Sequence, residues 1–117
     1  MSAPEDHASL NIEISVAELA ARLRAGETLR LLDVREPWEF EFNRLPGGEL
    51  LPMARIPLRL AELATTPEAE IICYCHTGNR SLTAADWLRR AGVRRARSLA
   101  GGIDQWSRDI DPNVPRY

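Results

Sequence analysis

The sequence contains no lysine: all 15 basic residues are arginine, set against 17 acidic residues for a net charge of −2. Codon usage in a GC-rich genome explains an all-arginine composition without any function. Long hydrophobic runs are also missing, and none approaches the roughly 18 residues that a membrane-spanning helix needs. The sequence therefore predicts a protein without a membrane segment or a membrane partner.

Cysteine and histidine are scarce, with two of each in 117 residues. Cys73 and Cys75 share one face of a predicted strand, where a disulfide between them would be strained. His76 adds one more possible ligand, and the other histidine, His7, lies in the N-terminal segment. A closed zinc site needs more ligands than these three residues supply. We therefore predict no disulfide, no metal and no cofactor.

The composition, with 44% hydrophobic and 27% charged residues in 117, is typical of one soluble globular domain. Residues 1–11 are acidic and polar and lack the basic and apolar regions of a secretory signal peptide. We therefore expect a cytoplasmic protein, in which both cysteines stay reduced.

Charge is distributed unevenly along the chain. Residues 1–74 hold 13 acidic residues and 7 arginines, whereas residues 75–117 hold 4 and 8. The net positive part would attract a small anion or an acidic partner. The arginines between positions 89 and 97 lack interleaved aromatic residues, so we predict a solvated face there rather than a nucleic-acid site.

Strand-like and helix-like segments alternate. Strands are predicted at residues 11–14, 29–34, 49–51, 70–74 and 95–99. Helices are predicted from a capping box at Ser15 to just before Gly26, then at 37–42, 58–64 and 81–91, and after Gly101 through Trp106. This alternation predicts an α/β domain at residues 11–110, with a central parallel five-stranded sheet and helices on both faces. Residues 1–10 are predicted to be a disordered tail and residues 111–117 an irregular one, and residues 45–57 are predicted to be loop apart from the strand at 49–51.

The run Cys75-His76-Thr77-Gly78-Asn79-Arg80-Ser81 lies between the apolar strand that ends at Tyr74 and the next helix. A thiol at the exit of a buried strand, before a glycine turn and a helix start, meets inward-facing N–H groups and a positive helix end. Arg80 adds a cation, so the surroundings favour a thiolate at Cys75. The carboxyl ends of parallel strands are also where ligands bind in such folds.

Four motifs in register resemble the single-domain rhodaneses, which are persulfide-forming sulfurtransferases. The motifs are Leu31-Leu32-Asp33-Val34-Arg35-Glu36 with Trp38-Glu39-Phe40, Leu45-Pro46-Gly47-Gly48 with Ile56-Pro57-Leu58, the Cys75–Ser81 run, and Leu99-Ala100-Gly101-Gly102-Ile103 with Trp106. The resemblance covers residues 12–106 and implies a rhodanese-like fold. Asn43 and Arg44 replace a common Gly-His pair, and Gly48 replaces a common alanine. Residues 110–117 resemble the end of rhodanese domains fused to molybdopterin synthase sulfurylases.

The resemblance assigns roles to nine residues. Cys75 would be the catalytic nucleophile. Residues of the active-site loop that bind the anion would be His76, Thr77, Gly78, Asn79 and Arg80, and supporting residues would be Asp33, Arg35 and Ser81. We expect a left-handed Gly78, with Asn79 tolerating the same conformation. Ser81 is predicted to be an N-cap, His76 to face solvent at the rim, and Cys73 to be a small core residue.

The implied activity is that of a thiosulfate:cyanide sulfurtransferase. Cys75 would take sulfane sulfur from a small anionic donor such as thiosulfate and pass it to a thiophilic acceptor. Two alternatives stay open: a persulfide relay serving a sulfur-carrier protein or a cysteine desulfurase, and a phosphatase or arsenate reductase. The phosphatase relatives of this fold place five residues between cysteine and arginine, whereas four separate Cys75 from Arg80. A catalytically silent interaction domain would normally have lost the cysteine.

Overall fold

The computed structural model of the protein describes residues 11–66 and 68–117. The strands are β1 (Glu13–Ile14), β2 (Arg30–Asp33), β3 (Gly48–Leu50), β4 (Ile71–Tyr74) and β5 (Ala96–Leu99). The helices are α1 (Val16–Arg24), α2 (Pro37–Phe42), α3 (Ile56–Leu63), α4 (Asn79–Arg90) and α5 (Gly102–Asp109), with a short 3-10 helix at Met53–Arg55. None of the described helices is long and apolar enough to cross a membrane.

The five strands form one sheet in the order β1-β5-β4-β2-β3, and every pairing is parallel. The predicted α/β architecture is therefore confirmed. Strand β4 occupies the centre, and all four of its residues are buried, as a strand covered on both faces must be. The chain leaves β4 at the carboxyl edge of the sheet, next to the end of β2, and this position decides where Cys75 lies.

Two apolar clusters lie on opposite faces of the sheet, because successive side chains of a strand point to opposite sides. On one face, Cys73 and Cys75 belong to the cluster that α3 and α4 cover. On the other face, Ile72 and Tyr74 belong to the cluster that α1 and α5 cover. The sheet is thus flanked by helices on both sides, as predicted.

Helix α3 begins earlier than the sequence predicted. Residues 45–57 were expected to be loop up to Pro57, but the 3-10 helix at Met53–Arg55 leads directly into α3 at Ile56. Pro57 stands in the first turn, where its missing N–H has no intrahelical partner to lose. The last helix also continues three residues beyond the predicted end at Trp106, to Asp109.

Residues 111–117 contain no helix or strand, yet they lie against the domain. Val114 is buried and its carbonyl accepts a 2.6 Å hydrogen bond from Ser107 Oγ. The carbonyl of Pro115 accepts a 2.7 Å bond from Asn43 Nδ2. This segment therefore brings Tyr117 to the carboxyl edge of the sheet. The tail predicted at residues 1–10 lies outside the described residues, and the domain boundary at residue 110 stays a prediction.

Candidate active site

Cys75 follows β4 directly and is 1% exposed. Its sulfur lies in a ring of short-range donors that the turn into α4 supplies. The backbone N–H groups of Gly78 and Ser81 donate to Cys75 Sγ over 3.2 and 3.3 Å. The Ser81 hydroxyl lies 3.4 Å from the same sulfur. Uncharged donors aimed at one buried sulfur form a site that stabilises negative charge there.

The backbone of the turn accounts for this geometry. Gly78 has φ +108°, which confirms the left-handed conformation expected of it and lets the chain fold its N–H groups inward. A Cβ at Gly78 would lie 3.1 Å from the backbone nitrogen of Gly101, so the turn is also closely packed. None of the described non-glycine residues has a positive φ, so Asn79 does not adopt the left-handed conformation that its side chain would tolerate.

The predicted N-cap at Ser81 is also wrong. Helix α4 begins at Asn79, two residues earlier than expected, and Gly78 is its N-cap. A glycine in the left-handed region can start a helix without a side-chain cap, which moves Ser81 inside the first turn. The buried Ser81 hydroxyl faces Cys75 Sγ and bonds Ser98 Oγ at 2.7 Å.

The first turn of α5 forms hydrogen bonds with the backbone of the Cys75 loop. The N–H groups of Ile103 and Asp104 donate to the carbonyls of Cys75 and His76 over 2.9 and 3.0 Å. A Cβ at Gly102 would approach those two carbonyl oxygens within 2.6 and 2.4 Å, a distance that real Cβ atoms do not adopt. Gly102, the second glycine of the last motif, is thus explained by close approach to the backbone of the Cys75 loop.

Arg80 binds a carboxylate of the same chain. Its Nη1 and Nη2 donate to the two carboxylate oxygens of Glu39 over 2.8 and 2.9 Å. Burial would raise the pKa of Glu39, but its hydrogen bonds with Arg80 and Tyr117 outweigh burial and lower the pKa to about 2. Glu39 belongs to α2 and was not among the predicted site residues, although it stands in the first motif.

Asp33 and Arg35 form a buried ion pair at the end of β2. Arg35 Nη2 lies 2.6 Å from Asp33 Oδ2, and both side chains are fully buried. Burial alone would lower the pKa of Arg35. Its hydrogen bonds with Asp33 and Tyr117 outweigh burial, so the net effect is a pKa above the usual value for arginine. The guanidinium also donates to the side-chain and backbone oxygens of Asn43 over 2.7 and 2.8 Å. Asn43, one of the departures from the family pattern, thus completes the shell of Arg35.

Tyr117 joins these charged groups and was missed by sequence reasoning. Its hydroxyl donates to Glu39 Oε2 over 2.6 Å and accepts from Arg35 Nη1 over 2.9 Å. Its ring stacks on His76 with centroids 4.0 Å apart. No local pattern around residue 117 indicates a site, because the contact joins segments about 80 residues apart in the chain, as in the 82 positions between Arg35 and Tyr117.

The remaining loop residues lie at the outer side. His76 is half-buried, and its Nε2 donates to the backbone oxygen of Tyr117 over 3.0 Å. It was expected to face solvent at the rim of the site, but one face of its ring is covered by Tyr117. Thr77 and Asn79 are exposed.

Cys73 lies deeper in the same face of the sheet. It is fully buried, and this burial raises the pKa of its thiol to about 12. Both cysteines are free. In the part of the chain that the structure describes, no cluster of three His, Cys, Asp or Glu side chains could hold a metal ion.

The fold and this loop agree with a match to the rhodanese-like domain family over residues 15–109. The chain therefore belongs to the rhodanese-like domain family. A protein named sulfurtransferase from Allochromatium vinosum is 35% identical over 102 residues, which cover 87% of this chain and 94% of that protein. The putative sulfur carrier protein YrkF from Bacillus subtilis is 32% identical over 102 residues, 87% of this chain and 54% of that protein.

A solved structure gives the same result. The human single-domain sulfurtransferase TSTD1 superposes with a TM-score of 0.72 and 25% identity, covering 84% of this chain and 96% of the human one. Some curated relatives are much longer than this chain. It spans 37% of an Arabidopsis thaliana rhodanese-like/PpiC domain-containing protein and 26% of the probable adenylyltransferase/sulfurtransferase MoeZ of Mycobacterium tuberculosis.

Proposed function

We propose that the protein is a sulfurtransferase that moves sulfane sulfur through a persulfide on Cys75. The observation that carries this proposal is the position of Cys75 Sγ, which accepts hydrogen bonds from the N–H groups of Gly78 and Ser81 at the exit of β4. A thiolate held by backbone donors is a suitable nucleophile for a sulfur atom. The relatives named sulfurtransferase support the same class of reaction.

The reaction has two half-reactions. The Cys75 thiolate attacks the outer sulfur of thiosulfate, an S–S bond to the protein forms, and sulfite leaves with the electron pair of the bond that breaks. An acceptor such as cyanide or a thiolate then attacks the outer sulfur of the persulfide. The Sγ–S bond breaks, its electrons return to Sγ, and the N–H groups of Gly78 and Ser81 again face a thiolate.

Phosphatase or arsenate reductase chemistry is less well supported. Such enzymes wrap a tetrahedral oxyanion with an arginine, but both terminal nitrogens of Arg80 are bound to Glu39. The four residues between Cys75 and Arg80 also make a smaller ring of N–H groups than five would. The arrangement therefore favours a single sulfur atom. Arg80 supports the loop in this proposal, and its field attracts the anionic donor without a direct bond.

A protein partner is the second form of the same function. The relative named sulfur carrier protein and the longer relative MoeZ favour a role in which the persulfide is handed to another protein. We propose a sulfur-carrier protein or a cysteine desulfurase as partner, and the cytoplasm as the compartment. Cyanide would then be a laboratory acceptor, and the protein donor would be turned over faster than thiosulfate.

Rates of sulfur transfer test the proposal. The wild-type protein, Cys75→Ser and the matched control Cys73→Ala are assayed with thiosulfate and cyanide, and separately with a cysteine desulfurase plus cysteine as donor. We expect Cys75→Ser to lose all transfer and Cys73→Ala to keep it, because Cys73 is a core residue. Retained transfer by Cys75→Ser, or faster hydrolysis of an aryl phosphate than use of either donor, would overturn the assignment.

A further inference from the structure

Ser98 places an unexplained hydroxyl in the core of the sheet. It belongs to β5, pairs with Cys73 of β4, and is fully buried. Ala96, two positions earlier on β5, is apolar, and the backbone ladder of the strand needs no hydroxyl at position 98. A buried hydroxyl costs free energy unless a hydrogen bond compensates it. Ser98 therefore needs a hydrogen-bond partner inside the core.

That hydroxyl ends a short chain that leads to the reactive sulfur. Ser98 Oγ lies 2.7 Å from Ser81 Oγ, and Ser81 Oγ lies 3.4 Å from Cys75 Sγ. Both serines are fully buried, so water does not compete for these bonds.

The protonation state of Cys75 sets the direction of the hydrogen bonds between the two serine hydroxyls. A thiolate can only accept, so the single proton of Ser81 must point to Cys75 Sγ when the sulfur is charged. Ser81 Oγ then meets Ser98 only as an acceptor, and Ser98 must donate to it. When Cys75 carries its proton, the Sγ–H donates to Ser81 Oγ and the direction of the chain reverses. The charge on the sulfur and the orientation of Ser98 are therefore coupled.

We propose that Ser98 is a positioning residue that, through Ser81, stabilises the thiolate of Cys75. The proposal deepens the sulfurtransferase function proposed above and rests on it for its biological meaning. Ser98 polarises the Ser81 hydroxyl, which strengthens its bond to the charged sulfur. The same donor chain is available whenever electrons return to Sγ, as they do when an acceptor removes the outer sulfur of a persulfide.

The ultraviolet absorbance of the thiolate, titrated against pH and corrected with Cys75→Ser, measures this effect without any sulfur donor. Replacing Ser81 by alanine removes a hydrogen bond to a charged group, so we expect the midpoint of thiolate formation to rise by about 1 pH unit. Ser98→Ala removes only the polarisation, so we expect a rise of about half a pH unit. The double variant should match Ser81→Ala alone, because Ser98 acts through Ser81. Ser98→Thr, which keeps the hydroxyl, should restore the wild-type midpoint.

Ser107→Ala is the matched control, because its buried hydroxyl donates to the carbonyl of Val114 and not to the Cys75 loop. It should leave the midpoint unchanged at a similar cost in thermal stability. An unchanged midpoint in Ser98→Ala would overturn the role of Ser98. So would a shift in the double variant that equals the sum of the two single shifts. Since the titration needs no turnover, it separates this result from failure of the sulfurtransferase assignment, which would show as a normal titration without sulfur transfer.

Discussion

The two sides of the Cys75 loop are built in different ways. The thiol side, formed by Cys75, Gly78, Ser81 and Ser98, places uncharged donors around Cys75 Sγ. The arginine side, formed by Asp33, Arg35, Glu39, Arg80 and Tyr117, holds the full charges, and these pair with one another. The difference shows that paired charges can surround a site while neutral donors contact the thiol at its centre.

The separation has a physical reason. A free guanidinium beside the sulfur would bind anions without selectivity. A guanidinium paired with a carboxylate is held in a fixed position and has a weaker electrostatic field. The backbone N–H groups of Gly78 and Ser81 do not titrate, so these two donors are present at any pH at which the protein is folded. Changes on the arginine side should therefore affect stability first, and changes on the thiol side should affect sulfur chemistry first.

The largest expected loss of stability comes from Arg35→Met. It would leave the Asp33 carboxylate fully buried without its cation, which costs about 3–5 kcal/mol in unfolding free energy. Urea unfolding measures the change. The matched control is Arg30→Met, since Arg30 pairs with Glu49 at a half-exposed position and should cost no more than about 1 kcal/mol. Equal losses in both variants would show that the arginine side is not a structural frame.

Glu39→Gln should change how stability depends on pH. The folded pKa of Glu39, about 2, lies below its ordinary value of 4.5, so its ion pair stabilises the protein above that ordinary value and the stabilisation disappears as pH falls toward 2. The shift corresponds to about 3 kcal/mol. We expect Glu39→Gln to be less stable than wild type at neutral pH, with the difference shrinking as the solution is acidified. A difference that stays constant with pH would contradict this account.

Gly102→Ala tests how closely α5 approaches the loop. The added Cβ would collide with the carbonyls of Cys75 and His76, so we expect a loss of about 2 kcal/mol and reduced sulfur transfer. Gly92→Ala is the control, because Gly92 also has a positive φ but no atom within 4 Å of the new Cβ. It should lose only about 1 kcal/mol and keep full transfer activity. Matching activities in the two variants would refute the role of the close contact.

Tyr117→Phe should have the smallest effect. It removes one donor to Glu39 and one acceptor for Arg35, at a partly exposed position, so we expect a loss of about 1 kcal/mol. The ring and its stacking on His76 remain. Thermal unfolding and the transfer rate with thiosulfate are the measurements, and the rate should be unchanged. A clear fall in the transfer rate of a variant that is still fully folded would assign Tyr117 to the thiol side.

Both sides were predicted in part from the sequence. On the arginine side Asp33, Arg35 and Arg80 were predicted, but Glu39 and Tyr117 were not. The order of strands and helices, and the left-handed Gly78, follow from local patterns of apolar residues and glycine. Ser81 was misplaced because a glycine N-cap gives no side-chain signal, so the helix start was set two residues late. Pairings between distant segments, such as Glu39 with Arg80 or Ser81 with Ser98, leave no trace in local periodicity.

Mass spectrometry of the intact protein and its peptides after incubation with thiosulfate tests the central claim most directly. Our account predicts that the peptide containing Cys75 gains one sulfur atom and that cyanide removes it again. Cys73 and Cys75 lie two positions apart and fall in the same peptide, so fragmentation of that peptide in the mass spectrometer must assign the added sulfur to one of them. A protein that gains no sulfur, or gains it on Cys73, would contradict the claim that Cys75 carries the transferred sulfur.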